Sequence, residues 1–250
     1  YGELHDRLEC IGYGFGTMAQ QAPGTVLRGS DLQLSPVGLS FKVSSPWGEA
    51  RIATVLLGQF NAANLLAALG ALLAGGMAFD TAVQRLKQMQ TVPGRMERFG
   101  TAQQPTVVVD YAHTPDALEQ VLKALRGHCT GTLWCVFGCG GDRDRAKRPL
   151  MGQLAEALAD RVVLTDDNPR SENPWDIIED IQRGMKEPDA AYVMRDRGAA
   201  IAHAISMAEA GDIVLVAGKG HETEQIIAGQ VLPFSDREEV VNCLRGRSDV

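Results

Sequence analysis

The sequence predicts an α/β protein whose larger part is a doubly wound, mostly parallel sheet, and three observations carry that prediction. Beyond about residue 100, short apolar runs alternate with helical stretches, the pattern of a parallel sheet covered by helices on both faces. Three of those helical stretches carry proline at an early position, where its missing N–H costs nothing. The loops after the apolar runs are rich in glycine and charge, and an open parallel sheet gathers its ligand there, beyond the carboxyl ends of the strands.

A region of different texture comes first. Between residues 26 and 57, "VLRGSDLQLS", "GLSFKVSSP" and "EARIATVLL" are separated by Gly, Pro and Ser clusters and predict antiparallel strands joined by turns. "GQFNAANLLAALGALLAGG" then changes to a helical period, with Phe60, Asn64, Ala67 and Ala71 on one face and a stop at Gly75 and Gly76. Asn61 is accounted for as the helix cap; Asn64, one turn in, is not. A second helix, about Asp80 to Met89, is expected to start on an Asp cap. Pro93 and Gly94 in "TVPGRMERFG" break the period and mark the candidate boundary between regions 1–98 and 99–250.

In the second region, strands are expected at about Thr106–Val109, Thr132–Phe137, Arg161–Thr165, Ala190–Met194 and Asp212–Ala217. The helices between them span about Pro115–Arg126, Pro149–Ala159, Pro174–Met185 and Gly198–Ala210. A last extended pair, "QIIAG" and "QVLPF", flanks a turn, and Ser235 caps a final helix through "DREEVVNCLRG".

Composition narrows the function classes. With 250 residues, 45% apolar and 22% charged, the chain has material for a sizeable core. A formal net charge of -7 gives no long-range attraction to phosphate backbones or anionic membranes, so neither nucleic acid nor a membrane is expected as the main partner. The alanine-rich stretch from Leu65 to Met77 is too short to span a bilayer, and no basic leader with a cleavage site opens the sequence. Five cysteines without a C-x-x-C leave an odd thiol in any disulfide scheme and read as reduced; no metal site is expected, although Cys135 and Cys139 lie close together. The expected location is the cytoplasm.

Four loops inherit the chemistry: "DYAHTP", "GCGGDRDRAKRP", "DDNPR" and "GKGHETE". Gly138, Gly140 and Gly141 allow backbone to approach a ligand closely, but Asp142 stands where a dinucleotide phosphate would sit, which disfavours a nicotinamide cofactor. Arg143, Arg145, Lys147 and Arg148 crowd a helix start, where cations oppose the dipole and call for an anionic partner. Asp110 and His113 suit either a turn-stabilising role or a ligand contact, and His221 with Glu222 either a capping pair or a site. In "DDNPR", carboxylates, an amide and a guanidinium follow one strand, a set suited to a zwitterion.

Taken together, "GQFNAANLLAALGAL", "VPGRMERF", "VVVDYAHTPDAL", "FGCGGDRDRAKRP", "DDNPRSENP" and "VLVAGKGHE" resemble the Mur ligase family in consistent order from about residue 24 to 238. Within it they look like the members that add meso-diaminopimelate to UDP-N-acetylmuramoyl-L-alanyl-D-glutamate. The resemblance implies an ATP- and Mg2+-dependent ligase of peptidoglycan precursors, acting as a monomer through an acyl phosphate. It implies a Rossmann-like domain at 99–250 that binds the amino acid, preceded at 1–98 by the end of a central ATP-binding domain. It implies that Arg143, Asp167, Asn168, Pro169, Arg170, Gly218 and Glu222 form the diaminopimelate pocket, and that Asn64, Arg95, Asp110 and His113 hold the nucleotide. Lysine, which other members add, lacks the distal carboxylate, so Arg170 favours diaminopimelate and both Arg143 and Arg170 are expected to stay buried and unpaired with lysine.

The chain departs from the family in one respect: no G-x-x-x-x-G-K-[ST] occurs in its 250 residues. It is therefore expected to be the back half of such a ligase, with the main magnesium ligands elsewhere, and to be inactive alone. The alternatives are a natural short homologue, a non-catalytic amino-acid-binding module and an oxidoreductase using "GCGG".

Overall fold

The computed structural model describes residues 10–21, 24–101 and 103–246, so the outer ends of the two expected regions lie outside the described residues. The chain forms two compact units that divide between Gln90 and Thr91. That is earlier than the expected 98/99 division, because Glu97–Phe99 pairs with a strand of the second unit.

In the first unit, β1 (Gly12–Phe15), β2 (Val26–Ser35), β3 (Gly38–Ser45) and β4 (Gly48–Thr54) form one sheet in that order. β1 runs parallel to β2 and the remaining pairs are antiparallel, with a bulge between Ser30 and Gln33. β1 and the short helix α1 (Gly16–Gln21) have no counterpart among the expected elements. Helices α2 (Gln59–Ala74) and α3 (Phe79–Lys87) follow. Leu39, Phe41 and Val43 alternate into a core completed by Ile52, Leu65, Leu66, Leu69 and Leu86, as a half-buried strand and an apolar helix stripe require. Two expected caps are displaced. Gly58, at φ 90°, caps α2 while Asn61 lies inside the helix and donates its amide to Leu57 O at 2.7 Å. Ala78 caps α3 without a side-chain bond, and Asp80 sits in the first turn.

The second unit holds β5 (Glu97–Phe99), β6 (Thr106–Asp110), β7 (Leu133–Phe137), β8 (Arg161–Leu164), β9 (Tyr192–Val193) and β10 (Ile213–Ala217). Their order in the sheet is β5-β6-β10-β7-β8-β9, parallel except for β5. Four helices connect them: α4 (Pro115–Arg126), α5 (Lys147–Leu158), α6 (Pro174–Gln182) and α7 (Arg197–Met207). Val107, Val109, Trp134, Val136, Val163, Val214 and Val216 pack on one face against α7 and the final helix α8 (Asp236–Gly246). The alternate residues Val108, Cys135, Phe137, Leu164 and Leu215 are also buried, as a sheet covered on both faces demands. Ser235 caps α8 through a bond from Glu238 N at 3.4 Å.

The extended pair is a hairpin, β11 (Glu224–Ile227) with β12 (Gln230–Pro233), closed by Ala228 and Gly229 at positive φ. It is joined to the loop after β8 by Arg170 N, which donates to Ile226 O at 2.9 Å. No helix among the described residues is long and apolar enough to cross a membrane.

Candidate functional site

Because β6, β10, β7 and β8 lie side by side and parallel, their following loops converge at one edge of the sheet. The loops after β7 and β8 meet first. Gly141 N donates to Asn168 O at 2.9 Å, and a Cβ on Gly141 would stand 1.9 Å from Pro169 O, so only glycine admits this approach. Arg143 and Arg170 flank Gly140: a Cβ there would lie 2.8 Å from Arg170 Nη1 and 3.7 Å from Arg143 Cγ. Arg170 Nη1 donates to Gly141 O at 2.8 Å, which holds its guanidinium over the glycine turn. Arg143 is exposed and makes only a local bond to Asp142 O at 3.1 Å.

The loop after β10 closes the opposite side. Gly218, at φ 119°, leaves room that a Cβ would fill 2.4 Å from Asp167 Oδ2. Asp167 is buried, and among the described residues no side chain donates to its carboxylate. Burial pushes that carboxyl above its usual range, against the opposing pull of Arg197 and Lys219. Asn168 is bonded at both ends of its amide: Nδ2 donates to Glu222 Oε2 at 3.0 Å, and Oδ1 accepts from Lys219 Nζ at 3.2 Å and Ile226 N at 3.0 Å. The seven expected pocket residues therefore stand on three adjoining loops. Asn168 and Pro169 serve them through structure, whereas Arg143, Arg170, Asp167 and Glu222 carry the charges.

Two buried cations hold this edge together, and the sequence had not singled out either as a site residue. Lys219, read only as part of a Gly-Lys-Gly turn, is fully buried and donates to Asn168 Oδ1, Glu222 Oε2 at 3.0 Å and Glu224 O at 2.5 Å. Arg197, also buried, forks onto Asp236 at 2.7 and 2.8 Å and reaches Ala217 O at 3.0 Å. The anion expected for the basic cluster at the start of α5 is internal. Arg148 forks onto Glu172 at 2.8 and 3.0 Å and reaches Asp180 at 2.9 Å; Arg145 also approaches Asp180, at 3.3 Å. Lys147 donates to His113 O at 2.6 Å. Of the four cations, Arg145 and Arg148 have acidic partners, whereas Lys147 is held by a backbone carbonyl and Arg143 has no partner beyond Asp142 O among the described residues. Asp166 pairs with Arg195 at 3.1 Å.

The residues expected to hold a nucleotide divide between the units. Asn64 is exposed on α2 of the first unit, its amide bonded to Asn61 Oδ1 at 3.1 Å. In the second unit, the guanidinium of Arg95 lies 4.6 Å from the centroid of the Tyr111 ring, with His113 at 4.6 Å and His221 at 5.5 Å from that ring. Asp110 gives its oxygens to backbone, accepting from Ala112 N at 2.8 Å and Met96 N at 2.7 Å. Burial raises its pKa in spite of those bonds. Gly94 packs so tightly on the last of the four loops that a Cβ would stand 2.2 Å from His221 N. Among the described residues, no group of three or more His, Cys, Asp or Glu is arranged to hold a metal ion.

Comparison with known proteins agrees with this architecture. A family model described as Mur ligase, glutamate ligase domain, matches residues 94–220, and one for the Mur ligase middle domain matches residues 3–72. The UDP-N-acetylmuramoyl-L-alanyl-D-glutamate--2,6-diaminopimelate ligase of Coxiella burnetii is 51% identical over 238 residues, covering 95% of this chain and 48% of its own length. The ligase of the same name from Alkalilimnicola ehrlichii is 52% identical over 244 residues, covering 98% and 48%. A solved structure of a ligase of that name superposes with a TM-score of 0.77 at 41% identity, covering 94% of this chain and 47% of the other. The chain thus spans about half the length of the curated relatives it matches.

Proposed function

The chain belongs to the Mur ligase family, and we propose that it is the amino-acid-binding part of an ATP-dependent ligase that adds meso-diaminopimelate to UDP-N-acetylmuramoyl-L-alanyl-D-glutamate. The observation that carries this reading is the pair Arg143 and Arg170 flanking Gly140, on loops that also carry Asp167 and Glu222. Diaminopimelate ends in a zwitterion. The two guanidiniums suit its distal carboxylate, and Asp167 with Glu222 suits its distal ammonium.

ATP, when bound, supplies the phosphoryl group that turns the D-glutamate side chain into an acyl phosphate. The residues of this chain bind and orient the incoming amino acid so that its amine meets that carbonyl. Arg95 on Tyr111 offers a flat, cationic platform suited to a nucleotide, and Asp110 acts through the backbone it holds. His113 completes the proposed nucleotide set of the second unit, and Mg2+ would accompany the ATP. The nucleotide-linked substrate and five free thiols favour a cytoplasmic location.

Exposure of Arg143 alters the expected specificity. A guanidinium deprived of its carboxylate by lysine keeps its water here, so discrimination reaches roughly four orders of magnitude only when the site is closed off from solvent. Calorimetry of this chain should show weak diaminopimelate binding and weaker lysine binding; equal affinity would overturn the pocket. In the complete ligase, Arg170→Lys should abolish the preference for diaminopimelate. The isolated chain, given substrates and magnesium, should release no phosphate, and steady release would defeat that expectation.

A further inference from the structure

Two non-glycine residues at the paired arginines adopt left-handed backbone: Asp142, next to Arg143, at φ 52° and Arg170 itself at φ 54°. Such conformations persist only where the surroundings over-determine them. Here the surroundings are a reciprocal lacing of the loops after β7 and β8. Glu172 Oε1 accepts from Asp142 N at 2.6 Å, while Asp142 accepts from Ser171 N at 3.2 Å and from the Ser171 hydroxyl at 2.7 Å. Each loop thus supplies the acceptor for a backbone N–H of the other, one residue from an arginine that flanks Gly140.

The inner end of the lace is buried. Arg148, with no exposed surface, grips both oxygens of Glu172, bonds Asp180 and reaches Gly140 O at 3.3 Å. The Arg148 hydrogen bonds, helped by Asp142 N, hold the Glu172 carboxyl down to about 2. Glu172 therefore stays ionised, and a fixed acceptor for Asp142 N, at any working pH. The outer end, Asp142 and Ser171, is exposed and contributes little to the core. A lace anchored on a buried cation and ending in exposed residues is poorly placed to stabilise the fold. It is well placed to set the separation of two side chains.

Resting on the diaminopimelate reading above, we propose that Asp142 and Ser171, anchored through Glu172 on Arg148, are positioning residues that fix the spacing of Arg143 and Arg170. They decide which amino acid is accepted without touching it.

The test uses the complete ligase with Asp142→Ala, Asp142→Asn, Asp142→Gly and Ser171→Ala, and Arg170→Lys as a control. Asp142→Ala should raise KM for diaminopimelate about tenfold to a hundredfold, the loss typical of misplaced binding groups. KM for ATP and for the UDP-linked substrate should stay unchanged, and the preference over lysine should fall. Ser171→Ala should do the same more weakly. Asp142→Asn should rescue most of the effect, since Asn tolerates left-handed backbone and its carbonyl still accepts from the Ser171 hydroxyl. Asp142→Gly relaxes the backbone without restoring the acceptor and should resemble Asp142→Ala; wild-type behaviour in it would overturn the lacing. A rise in all three KM values together with a lowered melting temperature would mean a merely structural role and would also overturn it. If Arg170→Lys leaves discrimination intact, the pocket itself is misassigned and both readings fall. If Arg170→Lys abolishes discrimination while the Asp142 and Ser171 variants behave as wild type, the positioning role alone fails.

Discussion

The two units are built on different terms. Up to Gln90 the described core is hydrocarbon: leucines, valines, Phe41 and Ile52, with no charged side chain among its buried residues. From Thr91 onward the chain buries Arg148, Asp166, Asp167, Asp180, Arg197, Lys219 and Asp236. Burying charge is unfavourable unless it is paired and hydrogen-bonded, and replacing such pairs by apolar residues is often neutral or stabilising. Their concentration at the carboxyl edge of the β6–β10 sheet therefore marks where position is worth more than stability. The first unit is held by apolar packing; the second holds charges at set distances.

The most severe way to break this contrast is to remove one member of a buried pair. Arg197→Met leaves Asp236 buried without its fork and should destabilise the second unit by about 3–5 kcal/mol in denaturant unfolding. Adding Asp236→Leu should recover much of that loss, because the second orphan charge then disappears as well. No such rescue exists in the first unit. Leu69→Ala, from a fully buried position on α2, should cost about 2–5 kcal/mol through lost burial and a cavity, and only restored volume would reverse it. If the double replacement at 197 and 236 stays as unstable as the single one, the pair contributes stability outright and the contrast fails.

A gentler probe is acid. Hydrogen bonds from Arg148 hold the folded Glu172 pKa near 2, below its ordinary 4.5, so its stabilisation is complete above the ordinary value and is lost as pH falls through about 2. Asp110 and Asp167 have the opposite sign: burial raises their pKa, and protonation as pH falls relieves a buried charge. The difference between wild type and Glu172→Gln isolates the first contribution. The wild type should lose its advantage between pH 4.5 and about 2, and an unchanged difference across that window would show that the Arg148 fork does not depend on the charge of Glu172. The raised pKa of Asp167 also predicts that diaminopimelate binding weakens on acidification earlier than an ordinary carboxylate would allow, a dependence that Asp167→Asn should abolish.

What could be read from the sequence follows the range of the physics involved. Local periodicity placed α4 at Pro115–Arg126, and the hydrophobic runs placed β6, β7, β8 and β10 within a residue or two. Glycines in "GCGG" and "GKG" signalled close backbone approach, which the contacts of Gly141 with Pro169 O and of Gly218 with Asp167 display. Three-residue β5 is too short to show a period, and of the strand expected at Ala190–Met194 only Tyr192–Val193 pairs, as β9. The insertion of β10 between β6 and β7 depends on contacts about a hundred residues apart, which no local pattern encodes. The basic cluster calls for an anion, but that Glu172 and Asp180 supply it to Arg148 becomes visible only once the loops meet, as does the burial of Lys219 against Asn168.

The smallest effect concerns helix starts, where the same contrast recurs. In the second unit Thr114, Asn173 and Asp196 accept hydrogen bonds from the first turns of α4, α6 and α7, while α5 starts on Ala146 without one. In the first unit α2 and α3 begin on Gly58 and Ala78 with no side-chain bond. Asp is favoured both as the cap and within the first turn, so Asp80 misleads by two positions: it complements the dipole of α3 without accepting from its free N–H groups. Ala78 already has extended backbone, at φ -62° and ψ 140°, close to what a capping residue adopts. Ala78→Ser should therefore stabilise the first unit by about 1 kcal/mol, and Asp196→Ala should destabilise the second by a similar amount. No gain at position 78 would mean that the start of α3 is held by packing of Phe79 and Val83 into the apolar core and not by its end groups. That result would deepen the contrast, leaving side-chain caps to helices of the unit that carries the candidate site.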